Sequence, residues 1–542
     1  MANWELSPLY RHSTSSFISS TRSILSSHSS KLILRDSTTL QIIRTWSLLS
    51  SSSTKDSQLQ FIISPSSQPH ILAYTHNHSI AWVIDPQQDE PIAKLSIGGE
   101  ESIGFDWTPD GSSFLSWSAH RLRISIFSLS QQPELTRYIQ SPKCTIKEGG
   151  YSFSREGYFA LLERHGNRDC IAIYDTKDWN LLRNVVIQDP TSDLVGIKWS
   201  PDGKYFVTWS SITNYYLHVF TLDGRKISTY SPYPSLTPST STPSISSPTE
   251  TSSLSSKEQS RLKKSMSTYV GLGIRTIEWS LNGEFLAIGG YDGKVRVLSR
   301  VAGAFGYAVS ELTCPSKTIG GKKERTVVWK EPNKGWIENT LGKGIVPFDS
   351  ISTPHNLNQT PQSIDPSKPN PRIGISRIVW SDDSKWLCVL NQSFPSNLYI
   401  FSFLTSSSST SNEPSLHLRP SLHTLILLNN PIKTFSFQGP PSSHSSSILT
   451  ILTGDQSFIL WTSPLPSRHD DEEEGNLGLT EGVGIPVPVA SKEGGKDEAG
   501  GGFKPNQVSF GFGEREGEGQ GEGRVMLLSE KGGMFCCAYP VD

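Results

Sequence analysis

Residues able to do chemistry are sparse in this chain. Thr75-His76-Asn77-His78 sets two imidazoles at i and i+2, on one face if the segment is a strand, but no third ligand accompanies them and no metal site is assigned. Gly289-Gly290-Tyr291-Asp292-Gly293-Lys294 has the glycines of a phosphate loop without the G-x-x-x-x-G-K-[ST] spacing. It joins two apolar strands where a phosphate loop would open a helix, so it reads as a hairpin turn. Cys144, Cys170, Cys314, Cys388, Cys536 and Cys537 form no C-x-x-C pair, which excludes the common zinc spacings and suits a reducing compartment. There is no G-x-S-x-G nucleophile elbow and no Cys/His grouping. The chain therefore reads as non-enzymatic, with no catalytic, cofactor-binding or metal-binding residue and no cofactor.

The remaining reactive feature is a possible site of modification. Ser231-Pro232, Thr237-Pro238, Thr242-Pro243 and Ser247-Pro248 make Ser231, Thr237, Thr242 and Ser247 candidates for proline-directed phosphorylation, which adds close to two negative charges per site. The basic runs Arg261 to Lys264 and Gly321 to Arg325, and the acidic run Asp470 to Glu474, read as solvated loops, since neither basic run carries interleaved aromatics for base stacking. Lys plus Arg (49) nearly balances Asp plus Glu (51), a net charge of -2, so no global field favours nucleic acid or an anionic membrane. No apolar run is long enough to span a bilayer and the first residues lack a signal-peptide layout; a cytosolic or nuclear protein, with no direct nucleic-acid or membrane partner, is expected.

What positions these residues is a repeated hairpin. Asp110 and Asp202 each sit in a Pro-Asp-Gly turn between alternating apolar runs, in FDWTPDGSSFLSWS from Phe105 and IKWSPDGKYFVTWS from Ile197, and Asp292 is read as a turn carboxylate of the same kind. YSFSREGYFALLE from Tyr151, IEWSLNGEFLAIGG from Ile277 and IVWSDDSKWLCVL from Ile378 repeat the pattern, with weaker copies from Phe61, Phe435 and Val508. A third strand follows each, ending at Asp36, Asp85, Ser128, Asp175, Thr221, Ser299, Ser402, Thr462 and Ala538, and in most units a fourth. Four short strands in about 40–45 residues, the third closing on an aromatic and a small polar residue, mark a WD-type propeller blade. One blade cannot bury both its faces, so blades must stack.

The expected fold is all-β, a WD-repeat β-propeller of about nine blade-like units in one large ring, with a seven-blade ring plus extra blades as the alternative. Residues 4–230 are assigned to blades 1 to 5, 231–268 to a Ser/Thr/Pro-rich disordered insert, 269–315 to blade 6 and 316–370 to a polar Gly/Pro-rich insert that is also read as a disordered loop. Residues 371–462 are assigned to blades 7 and 8, 463–507 to an acidic and Gly-rich loop with an outer strand, and 508–542 to the last blade. The last unit lacks a fourth strand, and Trp4 to Tyr10 (WELSPLY) is expected to supply it by pairing with the strand that ends at Ala538, with Pro8 on the exposed edge.

Several stretches resemble one family more closely than a generic WD repeat. Leu222 to Tyr233 (LDGRKISTYSPY), Ser141 to Asn184, Gly271 to Leu298 (GLGIRTIEWSLNGEFLAIGGYDGKVRVL) and Asn370 to Leu387 are similar to the WD-repeat protein eight family, the centrosomal and spindle-pole-body WD proteins that include the one encoded antisense to the p73 tumour suppressor. The resemblance implies a non-enzymatic scaffold at the microtubule-organising centre. It implies a coiled-coil spindle-pole anchoring protein and a minus-end-directed kinesin as partners, an indirect link to the gamma-tubulin-containing pole, and a role in anchoring microtubule minus ends. It carries over no contact residue. A nine-unit chain also resembles the propeller of the eukaryotic 2A-type initiation factor, which would imply ribosome or RNA contact; a ubiquitin-ligase receptor would want Trp-Asp-x-Arg where this chain has Tyr174-Asp175-Thr176-Lys177.

Overall fold

The structure is a computed structural model that describes residues 3–541 apart from several short gaps and the longer stretches 50–58, 233–272, 320–325, 340–344, 363–372, 404–419, 439–446, 465–477 and 486–503. The hairpin turn shows why the repeat is written as it is. Between Leu194–Trp199 and Tyr205–Ser210, Ser200 Oγ donates to Asp202 Oδ1 (2.6 Å) and accepts from the Tyr205 N–H (3.1 Å), while Gly203 takes φ +67°. Ser280 with Asn282, and Ser381 with Asp383, rebuild the same turn in later copies. A side chain that satisfies turn N–H groups locally lets both strands begin at once.

Nine sheets of four or more strands result among the described residues. Blades 1 to 9 span residues 14–47, 59–96, 102–140, 151–186, 194–230, 274–313, 375–427, 434–484 and 507–541. Within each blade the strands run antiparallel in chain order. Neighbouring blades touch through their first strands at most junctions, and Gln507–Arg515 of blade 9 touches Thr14–Ile18 of blade 1, so the contacts make one circuit. The core is correspondingly divided. One apolar cluster joins blades 4 and 5 (Ile171, Ile173, Trp199, Phe206), and another joins blades 7 and 8 (Trp386, Cys388, Phe435, Trp461); each is a thin layer between two sheets.

The circuit is closed by the two ends of the described chain. Asn3–Leu6 pairs antiparallel with Met534–Val541, Trp4 opposite Pro540 and Leu6 opposite Ala538, and Tyr10–Arg11 continues along the same strand. This is the pairing expected for Trp4 to Tyr10; Pro8 lies outside the described residues. Residues 3–6 therefore belong to blade 9, and blade 1 starts at Thr14.

Residues 316–370, expected to be a disordered insert, are a correction. Val327–Lys330 runs parallel to Ser421–Leu427 on the outer edge of blade 7, and Asp349–Ile351 pairs with it in turn. Ile345–Pro347 pairs antiparallel with Leu479–Gly484, the outer strand of blade 8. Trp329, Trp336 and Phe348 are buried, and Glu331 accepts from Trp336 Nε1 (3.0 Å) and the Asn429 N–H (2.7 Å). The apolar runs here are only three or four residues long, and the polar surroundings hide them in any composition window. The open sheet edges supply the backbone partners that make them strands. Among the described residues no helix is long and apolar enough to cross a membrane.

Candidate protein-interaction surface

The structure puts the chemically suggestive residues to structural use. Asp292 and Gly293 turn the second hairpin of blade 6, whereas Asp110 and Asp202 turn the first hairpins of blades 3 and 5, so the three carboxylates do not share one position. Asp292 accepts from Arg296 Nη2 (2.7 Å), and Arg296, almost wholly buried, also donates to Tyr215 Oη (3.1 Å) of blade 5. The Tyr-Asp-Gly-Lys-Val-Arg run is thus an inter-blade clasp and no phosphate cradle. His78 stacks on Tyr74 at 5.1 Å and lies 5.6 Å from Phe105, while His76 Nδ1 lies 3.4 Å from Gln60 Nε2. Burial first, then the charges of His76 and Lys147, push the His78 imidazole below its usual range. No group of three His, Cys, Asp or Glu that could hold a metal occurs among the described residues.

Cys144, Cys170, Cys314 and Cys388 are free thiols, and burial raises the pKa of each. Ser231 follows the outer strand of blade 5 directly, half-buried. Thr237, Thr242 and Ser247 lie outside the described residues, as do Arg261 to Lys264, Gly321 to Arg325 and Asp470 to Glu474.

One ionic cluster carries no sequence signal. Lys143, in the connection before blade 4, donates to Asp169 Oδ2 (2.6 Å), Asp193 Oδ1 (2.7 Å) and the Leu194 carbonyl (2.5 Å), tying blade 4 to blade 5. Burial pushes the Asp193 carboxyl up, but Lys143 and Arg164 outweigh it and hold it below the usual carboxylate range. Its members are 26 and 24 residues apart, so only the fold assembles them. The first strands are pinned in the same way. Tyr151 Oη donates to Asp106 Oδ2 (2.8 Å), Ser152 Oγ accepts from the Trp199 N–H (3.0 Å), Lys198 Nζ reaches Glu278 (2.7 Å), and Arg377 Nη1 donates to Thr434 Oγ1 (2.6 Å). These polar groups hold blades together.

Much of the exposed apolar surface among the described residues lies on the rim. The outer strands of blades 1, 3, 4 and 5 carry exposed Ile42, Ile43, Leu135, Leu181, Leu182 and Ile227, whereas blades 7 and 8 have theirs covered by the strands of residues 327–347. The register skips one residue on each of several outer strands, a bulge that turns Ile43, Leu182 or Ile227 off the ladder.

The WD domain, G-beta repeat family matches residues 263–299, which span blade 6 from its first strand through its third. The WD repeat-containing protein WRAP73 of Mus musculus is 29% identical over 448 residues, 80% of this chain and 80% of that one. The chain contains a WD repeat. This WD-repeat chain is also 26% identical, over 154 residues, to an uncharacterized WD repeat-containing protein of Schizosaccharomyces pombe, covering 28% of this chain and 31% of that one. A similar solved structure is Sqt1 of Saccharomyces cerevisiae, 9% identical with a TM-score of 0.44, covering 100% of both chains. The β-propeller of this WD-repeat protein follows from its own stacked four-stranded blades together with the repeat match.

Proposed function

We propose that this WD-repeat protein is a non-catalytic interaction scaffold of the spindle pole or centrosome. In this reading it helps anchor microtubule minus ends and assemble the spindle, together with a coiled-coil anchoring protein and a minus-end-directed kinesin. The gamma-tubulin-containing pole is reached through those partners, and no nucleic acid or membrane is contacted directly. The observation that carries the scaffold role is the exposed apolar rim of blades 1, 3, 4 and 5 on a ring whose described polar clusters tie blade to blade. The place rests on the sequence resemblance to the spindle-pole WD proteins, and the similarity to WRAP73 along most of both chains supports the WD-repeat scaffold part of the reading. Affinity capture from mitotic cells followed by mass spectrometry tests it. Recovery of coiled-coil pole components supports the reading; recovery of ribosomal subunits in their place overturns it.

A further inference from the structure

The outer strands of blades 1 to 5 have no pairing strand on their outer side among the described residues, but they are not equivalent. That of blade 4, Leu181–Val186, exposes Leu181 (50%), Leu182 (44%) and Val186 (47%), a denser apolar edge than any of the others. Its one charged residue is Arg183. Edge strands are ordinarily guarded by charge, proline or a covering segment, and among the described residues this one has a single arginine and no cover. Its register also skips Leu182, since Ile173 faces Arg183 and Tyr174 faces Leu181, so a bulge turns Leu182 away from the ladder. Beside it, between blades 4 and 5, opens a cleft of about 500 Å³ with apolar walls from Tyr158, Ile173, Leu182 and Leu222. Two cations and two carboxylates also line it, leaving no net charge to select a charged ligand.

The same chain shows what such an edge accepts. On blade 7 the short run Val327–Lys330 pairs with the outer strand and buries Val328 and Trp329; on blade 8 Ile345–Pro347 pairs with the outer strand, and the adjacent Phe348 is buried. A short extended segment with an apolar anchor, in either direction, is the cover this rim takes. We propose that the outer strand of blade 4 docks an extended segment of a partner protein, which adds as a fifth strand and seats an aliphatic or aromatic side chain in the cleft beside Leu182. Main-chain hydrogen bonds to the unpaired edge would supply affinity, and the cleft specificity. The proposal deepens the scaffold reading by naming one of its surfaces; the partner's identity rests on that reading and the geometry does not.

The test pans a random twelve-residue peptide library, displayed on phage, against the full chain. Recovered peptides should carry apolar residues at alternate positions. They should bind at least tenfold more weakly to Leu182→Arg, and more weakly to the gentler Leu182→Gln, with both variants melting as the parent does. They should keep their affinity for Ile43→Arg, which changes the corresponding bulge of blade 1. Bound peptide should slow hydrogen exchange at the amides of Leu181–Val186. Peptides indifferent to both Leu182 variants, or protection confined to another blade, overturn the proposal. So does a dimeric chain that Leu182→Arg converts to monomer, because the edge would then belong to a second copy. Loss of coiled-coil components from the mitotic capture would strike the scaffold reading and leave the peptide result standing.

Discussion

Lys143 shows how much one side chain can hold in a ring of separate sheets. Its ammonium is the nearer of two cations beside Asp169, whose side chain is fully buried (0% exposed), the other being Arg164 with Nε 3.4 Å from Oδ1, and it reaches Asp193 across the blade junction. Lys143→Met leaves the buried Asp169 carboxylate only the longer Arg164 contact and the Leu194 N–H, which costs up to about 3–5 kcal/mol. The loss should appear as a lower urea midpoint at unchanged slope. The pH dependence has a definite sign. The Asp193 carboxyl is depressed in the folded chain, so its contribution is fully present above about pH 4 and is lost as the pH falls through the lowered value. The acid limb of the stability curve should therefore be shallower in Lys143→Met than in the parent, and equal limbs would remove Asp193 from the account. Gly196 makes a steric counterpart, because a Cβ there would overlap the Trp209 ring. Gly196→Ala should destabilise by about 1–3 kcal/mol, read from the same denaturation curves.

At the scale of elements, the strands borrowed from residues 316–370 protect two blades. Trp329 is buried against the blade 7–8 core, and Trp329→Ala should cost about 3–5 kcal/mol. The variant should also scatter more light on standing, since losing the cover re-exposes the edge of Ser421–Leu427. A variant as stable and as monodisperse as the parent would show that the covering strand is ornamental. The bulge on the outer strands is a second element-scale device. On blade 7 the skipped residue is His423, which packs on Trp386 at 5.0 Å, and burial lowers its imidazole pKa; on blade 4 the skipped residue is exposed Leu182. One backbone feature thus serves packing where the rim is covered and presents an apolar contact where it is open.

At the scale of the whole molecule, closure depends on two short strands of the N-terminal segment. Asn3–Leu6 and Tyr10–Arg11 both pair with Met534–Val541 of blade 9, and without them that strand becomes a bare edge. Removing residues 1–11 should lower the melting temperature and promote self-association, both measurable by calorimetry and light scattering. A synthetic peptide of residues 1–12 added in trans should restore part of the loss. A truncated chain that stays monomeric with an unchanged melting temperature would show that the other blade contacts suffice.

The sequence alone determined the blade, because turn chemistry and period-two alternation are local properties. Ser200, Asp202 and Gly203 build their turn from neighbours within five residues, and nothing elsewhere in the chain is needed to read it. It also determined the closing strand, since an unfilled fourth position in the last unit and an unassigned apolar segment at the start complement each other. Tertiary structure alone decided the rest. Residues 327–330 and 345–347 are too short to be strands without an edge to pair with, and Lys143, Asp169 and Asp193 meet only once blades 4 and 5 stack. The apolar rim is legible as apolar in the sequence. Whether an outer strand is covered, as in blades 7 and 8, or open, as in blade 4, depends on where a distant segment lands, and that is fixed by which backbone groups the finished ring leaves unpaired.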